Sequence, residues 1–243
     1  NLFSLTSKDM GPDQWRLLAR TISEEASRKD VAGVVVTHGT DTLEEAALFL
    51  HLTLSTDKPI VLTGSMRPAT ALSPDGPANL FHAVQVCASA NASGRGVMVV
   101  MNGEILSALH VVKRHSIATN AFTSSPARPL GRVYSGRTFF FSDSTKAALA
   151  GAFGGALSND VVLPAVDIHY VAAGNSHADL LSRDWTERRG LVIAGFGCGE
   201  IPDGLVPEIN RLADDGITIV VSSRVADVVV LPETMTLTEE HHI

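Results

Sequence analysis

The chain has 243 residues, of which 45% are hydrophobic, 19% are charged and only 5% are aromatic. This length and composition predict a globular protein with one large domain or two small ones, and exclude a disordered chain. The formal net charge of -7 argues against broad binding to nucleic acid or to anionic membranes, because both need basic faces. We therefore expect a small molecule as the partner.

Neither a membrane span nor a cysteine framework is indicated. No apolar run reaches the roughly 20 residues that a bilayer requires, and the first residues lack the charged-then-apolar order of a signal peptide. The two cysteines, Cys87 and Cys198, make no metal-ligand pattern and no disulfide framework. The compartment is therefore unknown: we expect a soluble protein that is cytoplasmic, periplasmic or secreted.

The first predicted helix begins near Pro12, where a first helical turn tolerates proline, and runs to about Arg28. Its apolar residues recur every three or four positions, which predicts one buried face. An extended segment precedes it and ends in Ser7-Lys8-Asp9-Met10. From their position alone, Ser7 and Asp9 are interpreted as helix caps.

A hydroxyl-rich turn follows the first predicted strand. The β-branched run Val34 to Val36 is typical of a parallel strand covered on both faces, and a helix follows from Thr42. Thr40 and Asp41 therefore lie at the carboxyl end of a strand, where open α/β sheets bind ligands and a new helix favours anions. In the alternative interpretation Asp41 or Thr42 only caps the helix, which leaves Thr40 unexplained.

The next segments continue an alternation of strands and helices. Residues 59–63 and 97–101 are predicted strands, and a loop from Gly64 to Gly76 and a helix over 79–90 connect them. The order β, α, β, α, β favours a parallel sheet with right-handed crossovers. The loop around Arg67 has an alternative interpretation as a phosphate loop, but it lacks the Gly-Lys-Ser/Thr ending and has too few glycines.

Lys113 ends the mostly apolar segment that begins at Ser107, so its side chain either reaches solvent or is buried with a partner. Residues 132–141 then read as a hairpin. The small-residue segment 147–160 is the predicted linker, which divides the chain into an N-terminal domain, 1–146, and a smaller C-terminal domain, 161–243. For the latter we predict strands at 166–170, 190–194 and 217–221, with helices at 177–187 and 204–213.

The segment from Gly33 to Leu43, G-V-V-V-T-H-G-T-D-T-L, matches the second signature of the bacterial-type L-asparaginase family without a mismatch. The Gly64 to Gly76 loop and the residues after it resemble the family's G-x-M-R-P…S-x-D-G-P-x-N-L segment. Lys113 ends a segment similar to S-A-R-D-V-T-K. The resemblance implies an α/β fold with a larger N-terminal parallel-sheet domain and a smaller C-terminal α/β domain.

The resemblance also implies hydrolysis of L-asparagine to aspartate and ammonia by threonine-based acyl-enzyme chemistry, with no metal or organic cofactor. It assigns catalytic roles to Thr40, Asp41 and Lys113. It assigns substrate binding to Ser7, Thr40 and Asp41, with Asp41 on the α-amino group and Ser7 on the α-carboxylate. It further implies a homotetramer built from close dimers.

Some positions depart from the family pattern. Lys8 stands where glutamine is common, and Glu200 stands at or near an asparagine that often reaches a neighbouring subunit's site. The family's Thr-Gly-Gly-Thr-Ile motif, which carries its first catalytic threonine, is not among the 243 residues. Either they are part of a longer protein or they form a shortened, inactive relative; we expect the former, because losing the opening strand would uncover a sheet edge.

Three alternative functions stay open. A glutaminase-asparaginase acts on a substrate longer by one methylene, a difference worth only about 1–3 kcal/mol in a pocket. A tRNA-dependent amidotransferase subunit shares the fold, but it normally has an extra N-terminal domain, and the acidic charge does not favour RNA contact. The third alternative is a binding-only homologue.

Overall fold

The computed structural model describes residues 2–142, 147–175, 177–227 and 229–231. The chain forms two compact units that divide between Val161 and Val162. Both units combine helices with parallel strands, which confirms the predicted α/β class. No helix in the described part of the chain is long and apolar enough to cross a membrane.

In its described residues, the first unit consists of one large sheet, one small sheet and three α-helices. The helices are α1 (Pro12–Ser27), α2 (Leu43–Thr53) and α3 (Gly76–Cys87). The strands are β1 (Val34–Thr37), β2 (Ile60–Thr63), β3 (Val97–Met101), β4 (Glu104–Ser107), β5 (Val111–Lys113), β6 (Phe122–Ser124), β7 (Gly131–Tyr134) and β8 (Arg137–Phe140). The order in the large sheet is β1-β2-β3-β4-β7-β8, and β5 pairs with β6 in the small sheet.

The parallel part of the large sheet is β1-β2-β3, as predicted, and antiparallel strands extend it beyond β3. Strands β2 and β3 are buried throughout, because α1 and α2 cover one face of the sheet and α3 covers the other. The β7–β8 hairpin confirms the predicted one. Its turn, Ser135-Gly136, has positive φ at both residues, the conformation that tight two-residue hairpins require.

Two sequence expectations for this unit were wrong in detail. Strand β1 is only half-buried, rather than covered on both faces, because it lies at the edge of the described sheet and pairs with β2 alone. Helix α3 spans Gly76–Cys87 instead of 79–90. It begins earlier because Pro77, which has no N–H to satisfy, fits a first helical turn.

The part of the second unit that the structure describes is a three-stranded parallel sheet in the order β11-β10-β9, with two α-helices. Its elements are β9 (Ala165–Tyr170), α4 (His177–Leu181), β10 (Arg188–Gly195), α5 (Val206–Asp214) and β11 (Thr218–Ser223). Helix α4 is shorter than the predicted 177–187. Asp184 accepts hydrogen bonds from the backbone N–H and the hydroxyl of Thr186, which forms a turn where the helix was expected to continue.

Candidate active site

The turn that carries Thr40 and Asp41 lies at the carboxyl end of β1, beside the end of β2. The backbone N–H of His38 donates to the carbonyl oxygen of Thr63 at 2.8 Å, which continues the sheet pairing into the turn. Gly64 follows β2 and lies directly under the turn. A Cβ atom there would be 2.5 Å from the His38 carbonyl oxygen and 3.3 Å from Thr40 Cγ2, so glycine permits this close approach.

Ser7 anchors the turn from the other side. It is buried in a short 3-10 turn, Ser7–Asp9, and its hydroxyl accepts the backbone N–H of Asp41 at 3.2 Å and lies 3.4 Å from Asp41 Oδ2. The Ser7 carbonyl oxygen accepts the hydroxyl of Thr42 at 2.7 Å. Gly39 packs against Ser7 so closely that a Cβ would be 2.6 Å from its Oγ. The structure therefore places Ser7 beside Asp41.

Helix capping does not account for these side chains. Thr42 is the residue before α2, but its side chain makes no capping hydrogen bond, since its hydroxyl donates to Ser7. Gly11 precedes α1, and its N–H is satisfied by the side chain of Gln14 at 3.1 Å. Thr42 is therefore the N-cap residue of α2 by position but does not cap it with its side chain, and the interpretation of Ser7 as a cap of α1 was wrong.

Lys113 completes the cluster from the small β5–β6 sheet. Its Nζ donates to Thr40 Oγ1 at 3.0 Å and to Asp41 Oδ1 at 3.0 Å. The Lys113 side chain is 19% exposed and that of Asp41 is 62% exposed. The hydrogen bond and the charge of the lysine hold the pKa of Asp41 below its usual value. Lys113 thus has partners within the fold, and the alternative of a lysine that only reaches solvent was wrong.

Glu44, in the first turn of α2, is a site-adjacent residue that the sequence did not single out. Its carboxylate accepts the backbone N–H of Lys113. Burial raises the pKa of Glu44, against the opposing effect of this hydrogen bond, and the Glu45 charge raises it further. Acidic residues are common in the first turn of a helix, so nothing in the sequence indicated that Glu44 contacts Lys113, 69 residues away.

The loop after Gly64 is held by a carboxylate from its own chain. Asp75 Oδ1 accepts the N–H of Arg67 at 2.8 Å and the hydroxyl of Ser65 at 2.9 Å, and Oδ2 accepts the N–H of Met66 at 3.0 Å. Although burial acts to raise it, these donors lower the pKa of Asp75. Because Asp75 occupies the N–H groups of Met66 and Arg67, which a phosphate would need, the interpretation of this loop as a phosphate loop was wrong.

Other reactive groups offer no competing site in the described part of the chain. Within it, no group of three or more His, Cys, Asp or Glu side chains is arranged to hold a metal ion. Cys87 is buried, and burial raises the pKa of its thiol, which disfavours the nucleophilic thiolate. The Ser7, Thr40, Asp41 and Lys113 cluster is therefore the candidate active site, in which the ammonium contacts the Thr40 hydroxyl and the Asp41 carboxylate.

Comparison with known proteins finds family matches over both parts of the chain. The family model "Asparaginase, N-terminal" matches residues 1–146, and the model "Glutaminase/Asparaginase C-terminal domain" matches residues 165–242. The chain is 39% identical over 225 residues to a glutaminase-asparaginase of Pseudomonas fluorescens biotype A, covering 92% of this chain and 61% of that protein. It is also 39% identical over 215 residues to L-asparaginase 2 of Bacillus subtilis (strain 168), covering 88% and 57%.

A solved structure is similar over the whole chain. It is titled a probable cytoplasmic L-asparaginase from Campylobacter jejuni, and it matches with a TM-score of 0.88 and 38% identity, over 100% of this chain and 74% of that one. The chain spans about three fifths of the length of the two curated relatives named above. Since both family models match and together cover most of the sequence, the chain belongs to the asparaginase family.

Proposed function

We propose that the protein is an L-asparaginase, which hydrolyses the side-chain amide of asparagine to aspartate and ammonia. The observation that carries the proposal is the Lys113 ammonium, 3.0 Å from the hydroxyl of Thr40 and 3.0 Å from the carboxylate of Asp41. Amide hydrolysis needs groups that move protons at the reacting centre and groups that hold the substrate in place. Family membership supports the assignment.

The contact between Thr40 and Lys113 supports the roles that we propose for them. In the two-step route that the family resemblance implies, a threonine hydroxyl attacks the amide carbon, the C–N bond breaks and the nitrogen leaves as ammonia. Water then attacks the acyl ester and releases aspartate. We assign proton transfer in these steps to Thr40 and Lys113, because the amine and the hydroxyl are within hydrogen-bond distance and a threonine hydroxyl is a weak nucleophile without a base.

The roles of Asp41 and Ser7 concern the substrate's α-carbon groups. Lys113 and Ser7 contact parts of the Asp41 carboxylate, but its side chain stays largely exposed and can accept an α-ammonium group. Its depressed pKa keeps it ionised for that contact at neutral pH. We assign the α-carboxylate to Ser7, whose hydroxyl is fixed beside Asp41.

The test is ammonia release from L-asparagine by the wild type and by Lys113→Met, which removes the ammonium but keeps an apolar stem. We expect the rate to fall by about 10²- to 10⁴-fold, the usual contribution of a positioned proton-transfer group. Lys58→Met is the control, because the Lys58 ammonium donates to the Arg28 carbonyl oxygen and is remote from the cluster. A Lys113→Met enzyme with the wild-type rate would refute the assigned role, and an inactive wild type would favour the binding-only alternative.

A glutaminase-asparaginase is the second candidate function. It is favoured by three relatives, 38–42% identical to this chain, that are glutaminase-asparaginases. The ratio of kcat/KM for asparagine and glutamine separates the two, because a selective pocket discriminates one methylene by about 10- to 200-fold. A ratio near one would assign the broader activity.

We also propose the finer organisation that the resemblance implies. The domains are residues 1–146 and 161–243 with a linker at 147–160, which is supported by the extents of the two family matches. The assembly is a homotetramer made of two dimers. Light scattering coupled to gel filtration measures its mass, and a monomer would refute the assembly.

A further inference from the structure

Lys113 lies on β5, a strand that is not part of the large sheet. Strand β5 pairs only with β6 among the described strands, and Lys113 is its last residue. Thr40 lies 73 residues earlier, in the turn before α2. The distance between Lys113 Nζ and Thr40 Oγ1 therefore depends on contacts that fix β5 against α2.

The backbone N–H of Lys113 can make such a contact on the side of β5 that faces away from β6. The next residue, Arg114, directs its N–H to the carbonyl oxygen of Ala121, at 2.7 Å, on the β6 side. Because successive peptide groups in a strand point to opposite sides, the N–H of Lys113 points away from β6. On that side it meets the carboxylate of Glu44, which accepts its hydrogen bond.

Glu44 is well placed to connect β5 with α2. It is the second residue of α2 and the third after Asp41, so it belongs to the same short segment as the turn. Its half-buried carboxylate carries a charge attracted by Lys113, and the adjacent Glu45 is exposed and repels it. One carboxylate thus links the segment that carries Thr40 and Asp41 to the backbone of the residue whose ammonium contacts both.

We propose that Glu44 is a positioning residue, which holds the Lys113 backbone in place so that its Nζ reaches Thr40 and Asp41. The expected effect of Glu44 on catalysis rests on the proposed function. The structural link between Glu44 and the Lys113 backbone rests on their hydrogen bond alone. Glu44 acts through Lys113 and contacts no reacting atom in this scheme. Loss of the bond frees β5 to shift relative to α2, and a shift of about 1 Å in a catalytic group costs on the order of 100-fold in rate.

The test compares Glu44→Ala, which removes the acceptor, with Glu44→Gln, whose amide oxygen still accepts the N–H. Glu45→Ala is the matched control, because Glu45 is the exposed neighbour in the same helical turn. The hydrogen–deuterium exchange rate of the Lys113 amide reports directly on its hydrogen bond to Glu44. Steady-state kinetics with asparagine read its consequence, and thermal unfolding shows whether each variant is folded.

For Glu44→Ala we expect Lys113 exchange to be about tenfold faster, since an amide without its acceptor exchanges through smaller openings. We expect kcat to fall about 10- to 100-fold while KM stays within about twofold. Glu44→Gln should recover most of both properties, and Glu45→Ala should match the wild type.

Wild-type exchange at Lys113 in Glu44→Ala would overturn the proposal, as would a Glu44→Gln variant that is as slow as Glu44→Ala. If Glu44→Ala does not fold, Glu44→Gln is compared with the wild type instead, and a large loss of turnover in Glu44→Gln would overturn the proposal. An inactive wild type would count against the proposed function instead, and faster Lys113 exchange in Glu44→Ala would then still support the link.

Discussion

Gly64→Ala tests whether the close approach of two strand ends sets the geometry of the site. The added Cβ would lie 2.5 Å from the backbone carbonyl oxygen of His38, about 0.9 Å short of an ordinary van der Waals contact. Neither atom belongs to a flexible side chain, so the turn that carries Thr40 must move away from β2. Overpacking of this kind costs about 1–3 kcal/mol of folding free energy.

The catalytic effect should exceed the stability effect. A displacement of about 1 Å at Thr40 lowers the rate on the order of 100-fold, whereas the folding cost lowers the melting temperature by roughly 2–4 °C per kcal/mol. Ammonia release and thermal unfolding measure the two quantities. Gly155→Ala is the matched control, because a Cβ there meets no atom within 4 Å. If Gly64→Ala kept the wild-type rate and melting temperature, the argument from close approach would be refuted.

Two further predictions concern buried histidines. His51 Nε2 lies 2.8 Å from the carbonyl oxygen of Ala148, and Nδ1 accepts the N–H of Val97 at 3.2 Å. Because His51→Leu leaves both backbone groups unpaired, it should lower the free energy of unfolding by about 2–5 kcal/mol, measured by urea denaturation. A decrease of less than about 1 kcal/mol would contradict this. Burial, and then the charge of Arg183, lowers the pKa of His169. The unfolded chain therefore binds protons first, and stability should fall as pH drops below about 6.5 towards the folded pKa; His169→Gln should flatten that slope, and an unchanged slope would exclude His169 as its source.

The kinds of elements were predictable, because local patterns determine them. The β-branched run at Val34 and the proline at position 12 each mark an element by chemistry within a few residues. The half-burial of β1 was not predictable in this way, since it depends on which strand lies beside it. Helix α4 ended early for a local reason, the turn at Asp184, which the apolar spacing alone does not reveal.

The candidate site was predictable only in part. The turn with Thr40 and Asp41 stands out by its hydroxyl-rich composition at a strand end. The local sequence pattern does not distinguish Lys113 from other lysines, and only the family resemblance assigned it to the site. Strand and helix periodicities, of two and 3.6 residues, do not predict a contact between residues 73 positions apart. The Glu44 contact was missed for the same reason, as it joins residues 69 positions apart through the backbone of one of them.

The attachment of Lys113 to a small separate sheet has a consequence for how the site comes into existence. Strands β1 and β2 with α2 between them form a continuous stretch of chain that can assemble early, since its contacts are short in sequence. Lys113 lies in β5, which pairs with β6, residues 122–124, so we expect the ammonium to reach its place only after β6 has been synthesised. A chain still emerging from the ribosome at residue 110 therefore holds the hydroxyl and the carboxylate without their lysine, and the complete cluster forms late in folding.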